Sequence, residues 1–128
     1  MRGVVIRKAS IIAEDRRRKI VSVLNGEINV KDIHILFMKK GQTDLAVLGN
    51  HKHWYPEVMY VLQGKCHYWL KNKEGEEMEC DLNEGDVMFR APEVVHTCTC
   101  TEDAILIDGA EQSWVNDDWN HVREVLKE

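Results

Sequence analysis

Three histidines and one carboxylate stand at spacings that could assemble a metal site. His51 and His53 are two residues apart, Glu57 follows four residues later, and His96 lies downstream. On a β-strand, residues i and i+2 point to the same face, so the two imidazoles would converge on one point. This mixed set of nitrogen and oxygen ligands suits one divalent transition metal ion, such as Zn, Mn, Fe, Ni or Co.

The residue before Glu57 would bring its carboxylate towards the histidines. Pro56 has no N–H to give to a strand ladder, so it cannot continue a central strand. We therefore expect the chain to bend between His53 and Glu57. If Glu57 then faces inwards, alternation places Met59 and Val61 on the same wall.

The elements that must position these residues are nearly all strands. Segments rich in β-branched and aromatic residues alternate with polar or glycine-containing stretches, which is typical of an all-β sandwich or barrel. Gln63 and Gly64 separate two such segments and predict a hairpin turn. The predicted strands cover residues 4–8, 20–24, 33–39, 45–48, 58–62, 65–70, 78–82, 87–90, 95–100 and 104–108.

Only the C-terminal tail changes its period. Asp117 and Asp118 are good N-caps, and Trp119, Val122 and Val125 follow at helical spacing. The pattern predicts one short amphipathic helix that packs against the barrel.

The histidine segment resembles the first motif of the cupin family, from His51 to the closing Gly64. The second cupin motif is similar to the segment that opens at Gly85 and Asp86 and ends at His96. The resemblance implies one double-stranded β-helix, a jelly-roll barrel, over residues 1–128, with both motifs within residues 49–100. It also implies that the three motif histidines and the carboxylate hold one metal ion: His51, His53, Glu57 and His96.

Three positions depart from the second motif. Ala91 stands where a proline is usual, Glu93 replaces the turn glycine, and Cys100 replaces an asparagine. None of them is a ligand, but Glu93 changes a turn whose backbone favours glycine.

A looser resemblance concerns the segments before the first motif. Asp15-Arg16 looks like part of the Asp-x-Arg-Gly opening of sugar-nucleotide epimerase and ketoisomerase cupins. Gly49-Asn50-His51-x-His53 resembles a histidine segment of metal-binding cupin domains in capsular sugar biosynthesis. The basic run at residues 16–19 is either a solvated loop or an anion clamp, since guanidinium groups match phosphate oxygens.

Composition excludes several classes of function. The chain of 128 residues has a formal charge of −5, which argues against a nucleic-acid partner. No apolar run is long enough to cross a bilayer, and charge interrupts the N-terminus too early for a signal peptide. The four cysteines form no Cys-x-x-Cys pair, so we expect reduced thiols and a cytoplasmic protein.

Two further residues could contribute chemistry. His34 would share a face with Leu36 and Met38, where it would be either a cavity base or a structural histidine. Cys98 and Cys100 would face the same way as His96, most simply as small buried hydrophobic groups.

Three functions fit these features. The first is a metal-dependent isomerase or epimerase of a small sugar-derived substrate, with His34 or Glu57 as the base. The second is an Fe(II)-dependent dioxygenase, and the third is a non-catalytic sugar- or metabolite-binding protein. The resemblance also implies a homodimer, often with an exchanged N-terminal strand, for which residues 4–8 are available.

Overall fold

A computed structural model describes residues 1–41 and 55–112. These ranges contain ten strands and no helix, which confirms the predicted all-β class, and they hold no helix that could cross a membrane. The predicted strand at residues 45–48 and the C-terminal helix lie outside the described residues. The strands are β1 (Val4–Lys8), β2 (Ser10–Glu14), β3 (Lys19–Ser22), β4 (Asp32–Met38), β5 (Glu57–Gln63), β6 (Lys65–Lys71), β7 (Glu77–Asn83), β8 (Asp86–Arg90), β9 (Val95–Cys100) and β10 (Ala104–Ala110).

The strands form two main antiparallel sheets and a hairpin. The larger sheet has the order β1-β8-β5-β10-β4, the smaller sheet has the order β7-β6-β9, and β2 pairs with β3. One hydrophobic core joins the two sheets, because Met59 and Leu106 of the larger sheet share it with Cys66 and Leu70 of the smaller one. The side chains of Glu57, Arg90 and His96, which form the candidate site below, lie on the two inner faces.

The second face of the larger sheet is also partly covered. Val58 and Tyr60 point away from the main core, yet both are buried, because Ile28 and Val30 pack over them. This second cluster explains why β5 is buried along most of its length rather than on alternate residues. Strand β5, which begins at Glu57, is therefore packed on both faces, by the main core on one and by this second cluster on the other.

Gly64 connects the two sheets, so the predicted hairpin is wrong. Strand β5 belongs to the larger sheet and β6 to the smaller one, and the chain crosses between them at Gly64. The residue has a φ of 91°, and an added Cβ would lie 2.4 Å from the carbonyl oxygen of Asp103 and 2.7 Å from Cα of Ala104. Glycine is therefore required at position 64 both for the backbone conformation and for the close approach of the start of β10.

The basic run forms the tip of the β2–β3 hairpin. Asp15 Oδ1 accepts hydrogen bonds from the backbone N–H groups of Arg17 and Arg18, at 2.7 and 3.2 Å. The Arg17 guanidinium donates to the same carboxylate at 3.0 Å. These contacts lower the pKa of Asp15, mainly through the Arg17 side chain. The run is exposed throughout, as a solvated loop would be.

We predict that Gly64→Ala destabilises the protein by roughly 2–4 kcal/mol, because the new methyl group meets backbone atoms that cannot move independently. Gly75→Ala is the matched control, because Gly75 has a similar φ of 89° but nothing within 4 Å of an added Cβ. It should cost only about 1 kcal/mol of backbone strain. Urea unfolding followed by circular dichroism measures both, and equal losses would contradict the steric argument.

Candidate active site

A buried arginine lies between two carboxylates on the inner face of the larger sheet. The Arg90 side chain is 3% exposed, and its Nη2 lies 3.4 Å from Glu57 Oε1 and 3.5 Å from Asp108 Oδ1. Arg90 pairs directly with Glu57 across β8 and β5, and Asp108 pairs with Met59 on the other side of β5. We call these three residues the charge cluster.

Burial and mutual attraction set the ionisation of the charge cluster. Burial alone would lower the pKa of Arg90, but the charges of Glu57 and Asp108 outweigh it and the pKa lies above its usual value. Burial raises the pKa of Asp108, and the neighbouring Glu57 raises it further against the opposing effect of Arg90. The raised pKa of Asp108 therefore favours its protonated form, whereas Arg90 remains charged.

The charge cluster has unused hydrogen-bonding capacity. Within the described part of the chain, Arg90 Nε, Arg90 Nη1 and Asp108 Oδ1 have no hydrogen-bond partner. A buried donor without a partner typically costs about 1–3 kcal/mol. Donors held at that cost are suited to receive an oxygen of a bound molecule, in the way that an oxyanion site does.

His34 extends the charge cluster towards the edge of the sheet. It lies directly opposite Asp108 on the neighbouring strand, on the same face as Leu36 and Met38. Its Nε2 lies 3.2 Å from Asp32 Oδ2, and the side chain is 35% exposed. An imidazole that is oriented by a carboxylate and remains partly accessible has the features of a general base.

The smaller sheet brings His96 and Tyr68 to the opposite wall. Both side chains are buried, and His96 Nδ1 lies 3.4 Å from the carbonyl oxygen of Val94. A metal-ligating histidine commonly uses one ring nitrogen in this way, which orients the other. Tyr68 is close enough to Arg90 and Asp108 for their charges to act on it, and burial raises its pKa.

Half of the predicted metal site can be located. Glu57 and His96 are buried and face the same interior from opposite sheets, whereas His51 and His53 lie outside the described residues. The donor chemistry of Glu57 and His96 fits a divalent ion. However, Glu57 already has the Arg90 guanidinium beside it, so an ion would share this carboxylate with a positive charge.

The turn before His96 keeps the conformation of the motif without its glycine. Glu93 has a φ of 69°, and it is the only residue other than glycine with a positive φ in the described ranges. Such a backbone is strained for a residue with a Cβ. The motif geometry therefore persists at this position at some cost in stability.

Sequence reasoning missed Arg90 and Asp108 as site residues. A signal existed for each, because Arg90 alternates with Met88 and Asp108 with Leu106 on otherwise apolar strand faces. A charged residue at an inward position of a strand needs a partner or a function.

No protein-family model matches the chain, and no curated protein matches it. Solved structures do. They include a mutant 3,4-ketoisomerase from Thermoanaerobacterium thermosaccharolyticum in complex with TDP-4-keto-6-deoxyglucose, with 20% identity and a TM-score of 0.71 over 99% of this chain and 96% of that one. A TDP-quinovose 3,4-ketoisomerase from Campylobacter jejuni has 15% identity and a TM-score of 0.76 over 100% of both chains. A dTDP-4-dehydrorhamnose 3,5-epimerase from Sulfolobus tokodaii has 19% identity and a TM-score of 0.71 over 91% of this chain and 74% of that one. These likenesses confirm the cupin fold.

We predict that Arg90→Met destabilises the protein by roughly 3–5 kcal/mol at neutral pH, because it leaves Glu57 buried beside Asp108 without its cation. Replacing the whole charge cluster, as Arg90→Met with Glu57→Gln and Asp108→Asn, should recover part of this loss. Urea unfolding gives the free energies.

The matched control for this prediction is Lys8→Met. Lys8 Nζ lies 2.7 Å from Asp86 Oδ1, but its side chain is 66% exposed, so the loss should stay below about 1 kcal/mol. An Arg90→Met loss no larger than that of Lys8→Met would show that the charge cluster contributes nothing beyond a surface ion pair.

Proposed function

We propose that this protein is an isomerase or epimerase of a keto sugar carried by a nucleoside diphosphate. The observation that carries the proposal is the charge cluster, a buried guanidinium with unused donors, next to His34 inside a cupin barrel. The similar structures include two ketoisomerases and an epimerase of TDP-linked sugars, and one of them contains TDP-4-keto-6-deoxyglucose. Isomerisation beside a keto group needs a base and a hydrogen-bond donor to the keto oxygen, which are the roles that we propose for His34 and Arg90.

Moving a keto group between adjacent sugar carbons requires one proton to leave carbon and another to arrive. We assign the removal to His34, because its ring is partly accessible and Asp32 orients it. Glu57 is the second candidate, but its carboxylate already lies 3.4 Å from the Arg90 guanidinium, and taking up a proton would weaken that buried ion pair. The Nε and Nη1 donors of Arg90 would stabilise the negative charge that develops on the keto oxygen.

The proposed metal site is a separate part of this function. His51, His53, Glu57 and His96 would hold one divalent ion, which would help to polarise the keto oxygen. Elemental analysis of the purified protein tests it. An ion that is lost from His96→Ala belongs to this site, whereas a protein that isomerises its substrate without bound metal would refute it.

We expect the purified protein to exchange deuterium into TDP-4-keto-6-deoxyglucose in D₂O and to form the 3-keto isomer, both followed by NMR. His34→Asn should lower kcat by about 100-fold or more, which is the usual contribution of a general base. The control is His67→Asn, because His67 lies on the outer face of the smaller sheet with Asp81 and Glu79.

Other outcomes of this experiment would contradict the proposal. A sugar nucleotide that binds and is recovered without deuterium would indicate a binding protein. Oxygen consumption with a bound substrate would indicate a dioxygenase. Equal loss of activity in His34→Asn and His67→Asn would remove His34 from its role.

We also propose a homodimer, formed through the outer face of β4. Among the described strands, β4 is an edge of the larger sheet, and Ile33, Ile35 and Phe37 on its outer face are 62%, 56% and 74% exposed. A row of large apolar side chains on an edge strand favours association with a second copy. Strand β1 pairs with β8 of its own chain, so β4 is the better candidate for the interface than an exchanged β1.

Light scattering after gel filtration should show a dimer for the wild type and a monomer for Phe37→Glu, because the new charge would be buried in the interface. Ile12→Glu is the matched control, since Ile12 is 64% exposed on the β2–β3 hairpin. A dimer that survives Phe37→Glu but not Ile12→Glu would place the interface on the hairpin instead.

A further inference from the structure

Three of the four cysteines meet inside the barrel. Cys66 on β6 lies directly opposite Cys100 on β9, and Cys98 is two residues before Cys100 on the same face. Their Sγ atoms all lie within 4.8 Å of one another, and those of Cys66 and Cys100 are 3.3 Å apart. All three are free thiols and at most 2% exposed. We call this group the thiol cluster.

We propose that Cys66, Cys98 and Cys100 bind one soft metal cation, Cu(I) or Zn(II), in a site separate from the predicted histidine site. The two ligand sets share no residue. In residues 1–41 and 55–112, the thiol cluster is the one group of three or more His, Cys, Asp and Glu side chains whose ligand atoms come together in this way.

The spacing of the three sulfur atoms fits a metal–thiolate centre. A metal–sulfur bond of about 2.3 Å with tetrahedral angles places two sulfur ligands about 3.8 Å apart. The separation between Cys66 Sγ and Cys100 Sγ is 3.3 Å, and no separation among the three sulfur atoms exceeds 4.8 Å. Small side-chain rotations would therefore bring all three sulfurs to bonding distance, with no change of strand register.

The surroundings select the kind of cation. Thiolates without oxygen or nitrogen ligands favour soft ions such as Cu(I) and Zn(II). The thiol cluster belongs to the main apolar core, with Leu106 and Met38 among its members. The three described ligands suit three-coordinate Cu(I), whereas Zn(II) in proteins almost always takes a fourth ligand.

Tyr68 connects the thiol cluster to the rest of the interior. Tyr68 pairs with Cys98 across β6 and β9, and both side chains are buried in the main core. A phenol that donates to a metal-bound thiolate would orient that ligand and stabilise its charge. Each cysteine that coordinates the ion loses its proton, so binding would release up to three protons to solvent.

The test is elemental analysis of protein purified anaerobically from cultures supplemented with either zinc or copper. We expect about one equivalent of one of these metals per chain in the wild type, beyond any ion held at the predicted histidine site. Cys66→Ala and Cys100→Ala should each lower the metal content of the thiol cluster at least about tenfold, because each removes a ligand. Cys80→Ala is the matched control, since Cys80 lies on β7 outside the thiol cluster. The metal should also persist in His96→Ala, which separates the two sites.

X-ray absorption of the metal-loaded wild type keeps the proposal testable if an alanine variant fails to fold. Three sulfur neighbours would support the thiol cluster, and the absorbing element would distinguish Cu(I) from Zn(II). Only nitrogen and oxygen neighbours, or the same metal content in Cys66→Ala as in the wild type, would overturn the proposal. So would a wild type that contains no metal after both supplements.

Discussion

The ion pairs of Arg90 constrain the larger sheet more than any other polar contact described. A guanidinium that is removed from water needs polar partners close by, and Glu57 and Asp108 come from the two strands that follow β8 in the sheet. If β8 slipped by one residue, Arg90 would move to the outer face and both carboxylates would lose their cation. The three central strands therefore share one register that apolar packing alone would specify less strictly.

The same register divides the interior between two kinds of chemistry. Along β5 the inner face runs from Glu57 to Met59 and Val61, and along β10 it runs back from Asp108 to Leu106. The oxygen and nitrogen groups of the larger sheet thus gather near one end, with His34 beside them. On the facing sheet, His96 gives way along β9 to cysteines. One barrel can therefore hold acid–base groups and a thiol cluster without mixing their ligands.

Much of this arrangement follows from local sequence patterns, and the rest depends on contacts between distant strands. Period-two alternation correctly placed Cys98 and Cys100 on the face of His96, because the strand itself determines that relation. The contact between Cys66 and Cys100 could not be predicted, because it joins residues that are 34 apart in sequence and depends on the register of β6 and β9.

At two other positions the structure differs from the sequence prediction for a local reason. Gly64 was assigned to a hairpin because the same residue serves a tight turn and a crossing between sheets, and only the position of Asp103 distinguishes them. Strand β2 was not predicted, because Ile11 and Ile12 are adjacent and the segment shows no alternation of apolar and polar positions. Both side chains are exposed in the structure.

The charge balance of the interior limits what part of a substrate can lie there. Arg90 carries one positive charge and Glu57 one negative charge, and burial favours neutral Asp108. The charge cluster by itself therefore has no net positive charge to attract a diphosphate, whose desolvation would be costly without a matching cation. A keto sugar suits this interior better, because it brings oxygen acceptors for the Nε and Nη1 donors of Arg90 but no charge. For the proposed substrate, the charge balance thus favours the sugar ring beside the charge cluster and the diphosphate away from it.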